Sequence, residues 1–480
     1  MTMNKAIEEK KGAPIWEICL WWLVRAFLVA GVVFAQTTPK KLMVAFALIA
    51  TFLGSVLGKL IKDLSPRFQT CVCLVAALGS GLGFGFDVFQ SFPEYDVPLS
   101  LFGGLMGVAI GYYISVALRK PQTGKDFNFT AFMAFCISCA LAVPKEIFQF
   151  FTDYFTGRNL VHCEMPQDDH WLFGIIGKMG SMPEQWYLID FSEDITLCVI
   201  GAFIATAVLY LYLHLKNKDA FIKSRKRISL SLKDVPSRCR EKIAYEIQKV
   251  KAQTNIWDML LWWSVRIVMI FAFITMENRA EAVLLGVIAL GTFAISILHF
   301  VFPKDSMFCK INYRVQTLIV IIAFLGSYCG NYVGVYAYAS RFDTLLHFVS
   351  GFIGSMAGYY IALTLVKPKS KGSVLAVCLF ATAFSLAIIP IHEMTEFIGD
   401  FIWGTTNQGF MWEPSDNVLI YRLFGHGVGN ELLIRLYDTM YDMSLATTTS
   451  IISFFMLWLS LGRKNLKVNK TVTEKEKVTC

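Results

Sequence analysis

Residues Tyr95–Pro121 read YDVPLSLFGGLMGVAIGYYISVALRKP, and residues Phe342–Pro368 read FDTLLHFVSGFIGSMAGYYIALTLVKP. The two stretches align without a gap, and each is long and apolar enough to cross about 30 Å of hydrocarbon as one helix. The likeness extends outward in both directions. Gly79 and Gly83 fall in register with Gly326 and Gly330. KEIFQFFTDYF (Lys145–Phe155) matches HEMTEFIGDFI (His392–Ile402), and IWEICLWWLVR (Ile15–Arg25) matches IWDMLLWWSVR (Ile256–Arg266). Self-similarity of this extent is the signature of an internal duplication.

Each copy offers six apolar spans. They fall near 15–36, 42–62, 68–89, 97–118, 128–154 and 190–215 in the first copy. In the second they fall near 256–275, 281–302, 315–337, 343–366, 373–402 and 438–461. An even number per copy makes the repeats parallel. The expectation is an all-α polytopic membrane protein of about twelve transmembrane helices in two parallel six-helix repeats. The first repeat spans 1–215, a linker 216–255, the second repeat 256–462, and a tail 463–480.

Composition agrees. The 480 residues are 55% hydrophobic and 17% charged, against about 25% charged in a soluble domain, and mean hydropathy is +0.52. The net charge of +8 is concentrated. Residues 216–251 carry twelve Lys or Arg against four acids, and the short loops at 59–67, 119–125, 304–314 and 367–371 are basic too. All lie on one side of a twelve-span chain. By the positive-inside rule that side is the cytoplasm, which puts both termini there and the chain in a bacterial cytoplasmic (inner) membrane. Topology accounts for the charge, so membrane lipids are the expected partners and nucleic acid is not. The linker is expected to lie on anionic lipid. Cys136 and Cys139 form a CxxC inside an apolar span, where cysteine behaves as a small hydrophobe. The rows Gly103, Gly107, Gly111 and Ser350, Gly354, Gly358 have the small-residue spacing that lets membrane helices approach closely.

Ionisable residues gather at the opposite end. The tenth span begins with Asp343 and His347, the eleventh ends with His392, Glu393, Glu396 and Asp400, and the twelfth begins with Asp438 and Asp442. Three helices thus bring acid and histidine pairs to one depth, just below the extracytoplasmic interface. Two like charges about 4 Å apart repel by about 4 kcal/mol at an effective dielectric near 20, so six carboxylates there require protons or a cation. Carboxylates with imidazole suit Zn, Mn, Fe or Mg. The expected assignment gives His347, Glu393 and Asp438 to a metal, and Glu396 and Asp442 to catalysis; Asp343, His392 and Asp400 complete the cluster. In the first copy Ser100 replaces His347, Lys145 replaces His392 and Gln149 replaces Glu396. That copy carries its own cation in Lys145, which makes the second copy the expected active site; the opposite reading gives Lys145 itself a functional role.

The order FDTLLHFVSGF, HEMTEFIGDF, GTTNQG, YDTMYDMSLATTTS resembles the YjdF-like family of bacterial inner-membrane proteins and, more distantly, the VanZ-like proteins associated with glycopeptide resistance. The resemblance covers about Val315–Leu461 well and the first copy weakly. It implies the fold and a site at Asp343/His347, Glu393/Glu396 and Asp438/Asp442, but no settled activity. Three functions stay open on the sequence. The first is a metal-dependent hydrolase or transferase acting on a lipid or lipid-linked envelope substrate. The second is a proton- or cation-coupled transporter, and the third a structural or accessory membrane role.

Overall fold

The structure is a computed structural model describing residues 13–61, 63–92, 95–119, 124–156, 186–215, 235–302, 308–339, 342–365, 371–403 and 434–478. Side chains at several helix ends, among them 153–156, 186–190, 398–403, 434–438 and those beyond 462, fall outside the described set, as does GTTNQG. Every described element is helical. The first copy consists of α1 (Ile15–Phe34), α2 (Thr38–Leu60), α3 (Pro66–Gly85), α4 (Asp96–Arg119), α5 (Gly124–Thr156) and α6 (Trp186–Leu215). A linker helix, α7 (Val235–Gln253), leads into the second copy. There follow α8 (Ile256–Thr275), α9 (Arg279–Gly291), α10 (Ala294–Val301), α11 (Arg314–Tyr332), α12 (Phe342–Leu365), α13 (Lys371–Trp403) and α14 (Ile434–Val478).

Eleven of these helices are long and apolar enough to cross a membrane by themselves, and α9 with α10, bent by 56°, makes a twelfth when the pair is counted as one span. The equivalent helix of the first copy, α2, is unbroken. The third span of each copy ends in a π-helical stretch, Ala77–Gly85 and Phe324–Tyr332. Both then turn through a left-handed residue, Asp87 at φ 61° and Gly334 at φ 77°, a conformation that asparagine-like and glycine residues adopt at least cost.

A buried arginine pins the first two spans of each copy. Arg25 donates to the Thr51 carbonyl at 3.0 Å and to the Ser55 hydroxyl at 2.6 Å. Arg266 donates to the Thr292 carbonyl at 2.7 Å, with its guanidinium 3.7 Å from the Phe293 ring centre. Thr292 sits at the bend, so Arg266 satisfies a carbonyl that the broken helix leaves exposed, and the cation meets the negative end of α9. Gln316, from the third span, takes the Ser296 N–H on the far side of the bend at 3.2 Å. Its first-copy counterpart Gln69 instead donates to the Thr51 carbonyl at 2.7 Å. These arginines are held by carbonyls, hydroxyls and ring faces.

The fourth, fifth and sixth spans form the body of each copy, and α5 packs on α13 to join the copies. Phe129 and Phe380, both fully buried, lie 5.3 Å apart between ring centres across that seam, with Phe132 5.4 Å from Phe380. Within each copy small residues set the spacing. A Cβ on Gly107 would stand 2.9 Å from the Ser138 Cα, and one on Gly358 2.9 Å from the Ala381 Cα. Gly103, expected in this row, faces open space. Its neighbour Gly104 makes the close contact instead, where a Cβ would lie 2.1 Å from the Cys198 carbonyl oxygen of α6. The aligned Gly351 is as tight against α14, 2.5 Å from the Ala446 carbonyl oxygen. Ser138 and Ser385 each donate a hydrogen bond to the carbonyl of that glycine, at 2.8 and 3.0 Å.

The linker helix is bolted to the second copy by one polar stripe: Lys242, Glu246, Lys249 and Gln253 share a helical face. Glu246 contacts the buried His299 at 2.9 Å and accepts the Tyr313 hydroxyl at 2.9 Å. Gln253 accepts the Tyr313 N–H at 3.0 Å, and Lys242 donates to the Phe302 carbonyl at 2.8 Å. Burial draws the Lys249 ammonium below its usual pKa, with Glu246 opposing. Ile243 and Ile247 remain half exposed.

Gly104→Ala should destabilise the detergent-solubilised protein by about 1–3 kcal/mol through overpacking. Gly103→Ala should leave stability unchanged or raise it by up to about 1 kcal/mol through helix propensity. Thermal unfolding of the two variants beside the parent checks the contrast, and equal midpoints would overturn the packing account.

Candidate metal centre

Three helix ends meet where α12 begins, α13 closes and α14 begins. His347 sits one turn into α12, 5% exposed, and its ring is the hub. Nε2 lies 3.5 Å from the Asp343 carboxylate and 3.6 Å from the Asp442 carboxylate. Nδ1 lies 3.8 Å from Glu393. Helical spacing explains the first pair, since residues four apart share a face. The glycine contacts of α12 with α13 and α14 supply the other two. Glu393 is 1% and Asp442 3% exposed.

The ligand atoms of Asp343, His347 and Asp442 all lie within 4.8 Å of one another. Their separations from Nε2 exceed a direct hydrogen bond of about 2.7–3.2 Å. They match the roughly 3.4 Å between ligands placed about 2.1 Å from one tetrahedral ion. One imidazole and two carboxylates form a donor set suited to Zn, Mn or Fe. Glu393 faces the other ring nitrogen. At 3.8 Å it is beyond direct hydrogen-bond reach, but it stands on the side from which a carboxylate orients a ligating histidine. Glu393 is itself steadied by the hydroxyl of the fully buried Thr439.

The remaining expected residues divide. His392 and Glu396 pair with each other at 3.4 Å, with side chains 52% and 27% exposed, and form a rim beside the trio. The His392 ring stands 5.8 Å from that of His347. The side chains of Asp400 and Asp438 lie outside the described residues. Thr439 was not anticipated from sequence, though it lies three residues before Asp442 on the same face. Its aligned residue in the first copy is Phe191, buried and without a hydroxyl.

The first copy builds the same scaffold around different chemistry. The Lys145 ammonium touches Asp194 and lies 3.0 Å from Glu146. The Ser100 hydroxyl donates to Asp194, and Asp96 lies against Asp194 as well. Ser100, Glu146 and Asp194 are all buried. The two sites are close neighbours: Thr196, two residues after Asp194, donates to the sulfur of Met394, the residue after Glu393, at 3.1 Å.

The family model described as predicted membrane protein (DUF2238) matches the chain twice, over residues 17–215 and 258–463. The chain belongs to the DUF2238 family. It holds two tandem copies of the family unit, each covering one six-span half, and the YjdF-like resemblance fits this membership. No curated protein and no solved structure matches the chain.

Proposed function

We propose that the second copy of this DUF2238 protein binds a divalent cation, Zn, Mn, Fe or Mg, through Asp343, His347 and Asp442, with Glu393 orienting the histidine. On this reading the chain is a metal-dependent hydrolase or transferase acting on a lipid or lipid-linked cell-envelope substrate. The observation that carries the proposal is the convergence of one imidazole and two carboxylates, from two helices, within 4.8 Å, with His347 and Asp442 buried and Asp343 half-buried. A cation there polarises a phosphoryl oxygen or activates water. On this reading Glu396, on the rim beside His392, would accept a proton from that water. The distant VanZ-like motif order points to the cell envelope as the source of substrate. The basic loops and linker at the opposite end favour an extracytoplasmic site in a bacterial cytoplasmic membrane, with both termini inside.

Cation- or proton-coupled transport is the second reading. It is favoured by the packing of α5 on α13, which joins two parallel six-span halves, and by the Thr196–Met394 contact beside their acid clusters.

Metal analysis by mass spectrometry on purified protein separates these. The enzyme reading expects about one equivalent per chain, lost in Asp442→Asn and His347→Ala and retained in Glu396→Gln, as a fixed site predicts. Absence of metal from the parent would reject the metal centre and turn attention to proton coupling or an accessory role. Orientation has its own check. Asn407→Cys, in an otherwise cysteine-free chain, should react with an impermeant thiol reagent added to intact cells after outer-membrane permeabilisation. Labelling only after the inner membrane is opened would reverse the assigned topology.

A further inference from the structure

The outer half of α5 is covered by α2, while the same part of α13 is bare. In the first copy α2 packs on α5. The Phe46 and Phe148 rings stack there, 4.2 Å apart between centres. Phe148 is thereby packed against the core of the first three spans, which includes Val44, Cys73 and Phe84. The aligned residues of the second copy are Val287 and Thr395. Both are exposed, and the Thr395 hydroxyl turns back to the Ile391 carbonyl of its own helix at 2.7 Å. Among the described residues, α9 and α10 make no comparable packing with α13. The span that would close this side is the broken one. The bare face leads to the metal-type trio. Ile388, His392 and Thr395 lie at helical spacing on one side of α13, all exposed, and the His392 ring is 5.8 Å from that of His347. On α9, Val283, Val287 and Leu290 form an exposed apolar row. Val287 falls in the middle of α9 and Ile388 well inside α13, so this opening lies within the span and not in water.

We propose that the opening between α9 and α13 is the sideways entrance through which a lipid bearing a phosphate head reaches Asp343, His347 and Asp442 from the outer leaflet. The apolar chain lies along Val287 and Ile388, and the head passes His392 to the trio. The occupant comes from the bilayer, because the walls of the opening are apolar and stand at membrane depth. It carries a phosphate, because the inner end of the opening holds a donor set for a divalent cation, and such a cation draws phosphoryl oxygen. In the first copy the stack of Phe46 on Phe148 shuts the same route. The identity of the head rests on the metal reading of the second copy; the entrance rests on the difference in packing between the copies, and the two fail separately.

Phosphatidic acid with a photoactivatable diazirine in its acyl chain is placed in nanodiscs of phosphatidylethanolamine and phosphatidylglycerol that hold the full-length chain. Labelled peptides are read by mass spectrometry, and metal content is measured on the same sample. Ile388–Thr395 should be labelled several-fold more than the aligned Leu141–Phe148, and diacylglycerol with the same chain should show no such preference. Thr395→Phe puts the first-copy ring at an exposed position and should lower labelling of Ile388–Thr395. Phe148→Thr should raise labelling of Leu141–Phe148; if that variant does not fold, Thr395→Phe carries the test alone. Equal labelling of the two segments by phosphatidic acid, or no response to Thr395→Phe, would overturn the entrance even with metal bound. Preference by diacylglycerol as well would overturn the phosphate head. Preference by phosphatidic acid alone in a metal-free chain would uphold the entrance while rejecting the metal centre.

Discussion

Two membrane helices bring their backbones into contact only where one of them lacks a side chain. In each copy those places lie on the fourth span, at Gly104, Gly107 and Gly111 and at Gly351, Gly354 and Gly358. In lipid the hydrophobic effect gives helices no reason to prefer each other, so close packing and the hydrogen bonds it permits must hold them. Ser138 and Ser385 show the second part: each reaches across the contact to a carbonyl on the neighbouring helix. The depth of the site follows from this spacing. With α12 tight against α13 and α14, His347 stands within 4 Å of carboxylates on both. A wider seam would leave the same residues facing lipid or water.

Much of this is visible in the sequence, because duplication and hydrophobic length are strong signals. The gapless match of 95–121 with 342–368 marks the repeat and aligns the acids of the two halves. What stays hidden depends on angles around a helix. Gly103 and Gly104 look interchangeable in a row of small residues, yet only Gly104 faces α6. Glu393 and Glu396, three apart, look like a pair, but one is buried against His347 and the other lies at the rim with His392. The bend of the eighth span is equally silent. Its sequence carries no proline there, and the break is stabilised from outside by Arg266 and Gln316. The basic linker reads as a lipid-facing segment, while Lys242, Glu246, Lys249 and Gln253 form a stripe that grips the second copy.

The two halves also differ in how they meet electrostatic cost. A carboxylate cluster removed from water is tolerated only when positive charge is close at hand. The first copy supplies it covalently through Lys145, while the second sets the His347 ring among its carboxylates and has no lysine there. The substitution of Phe191 for Thr439 follows the same division, since only the second copy has a histidine partner that needs steadying.

The seam of Phe129, Phe132 and Phe380 has a consequence for ancestry. The family unit is one six-span half, and a chain with only one unit leaves that aromatic face of its fifth helix uncovered. In this chain the second unit covers it, through Phe380. In a homodimer every change appears on both sides of the axis, and a lysine that silences one centre silences its twin. Two units in one chain lift that restriction: each half is free to change its polar cluster without changing the other's.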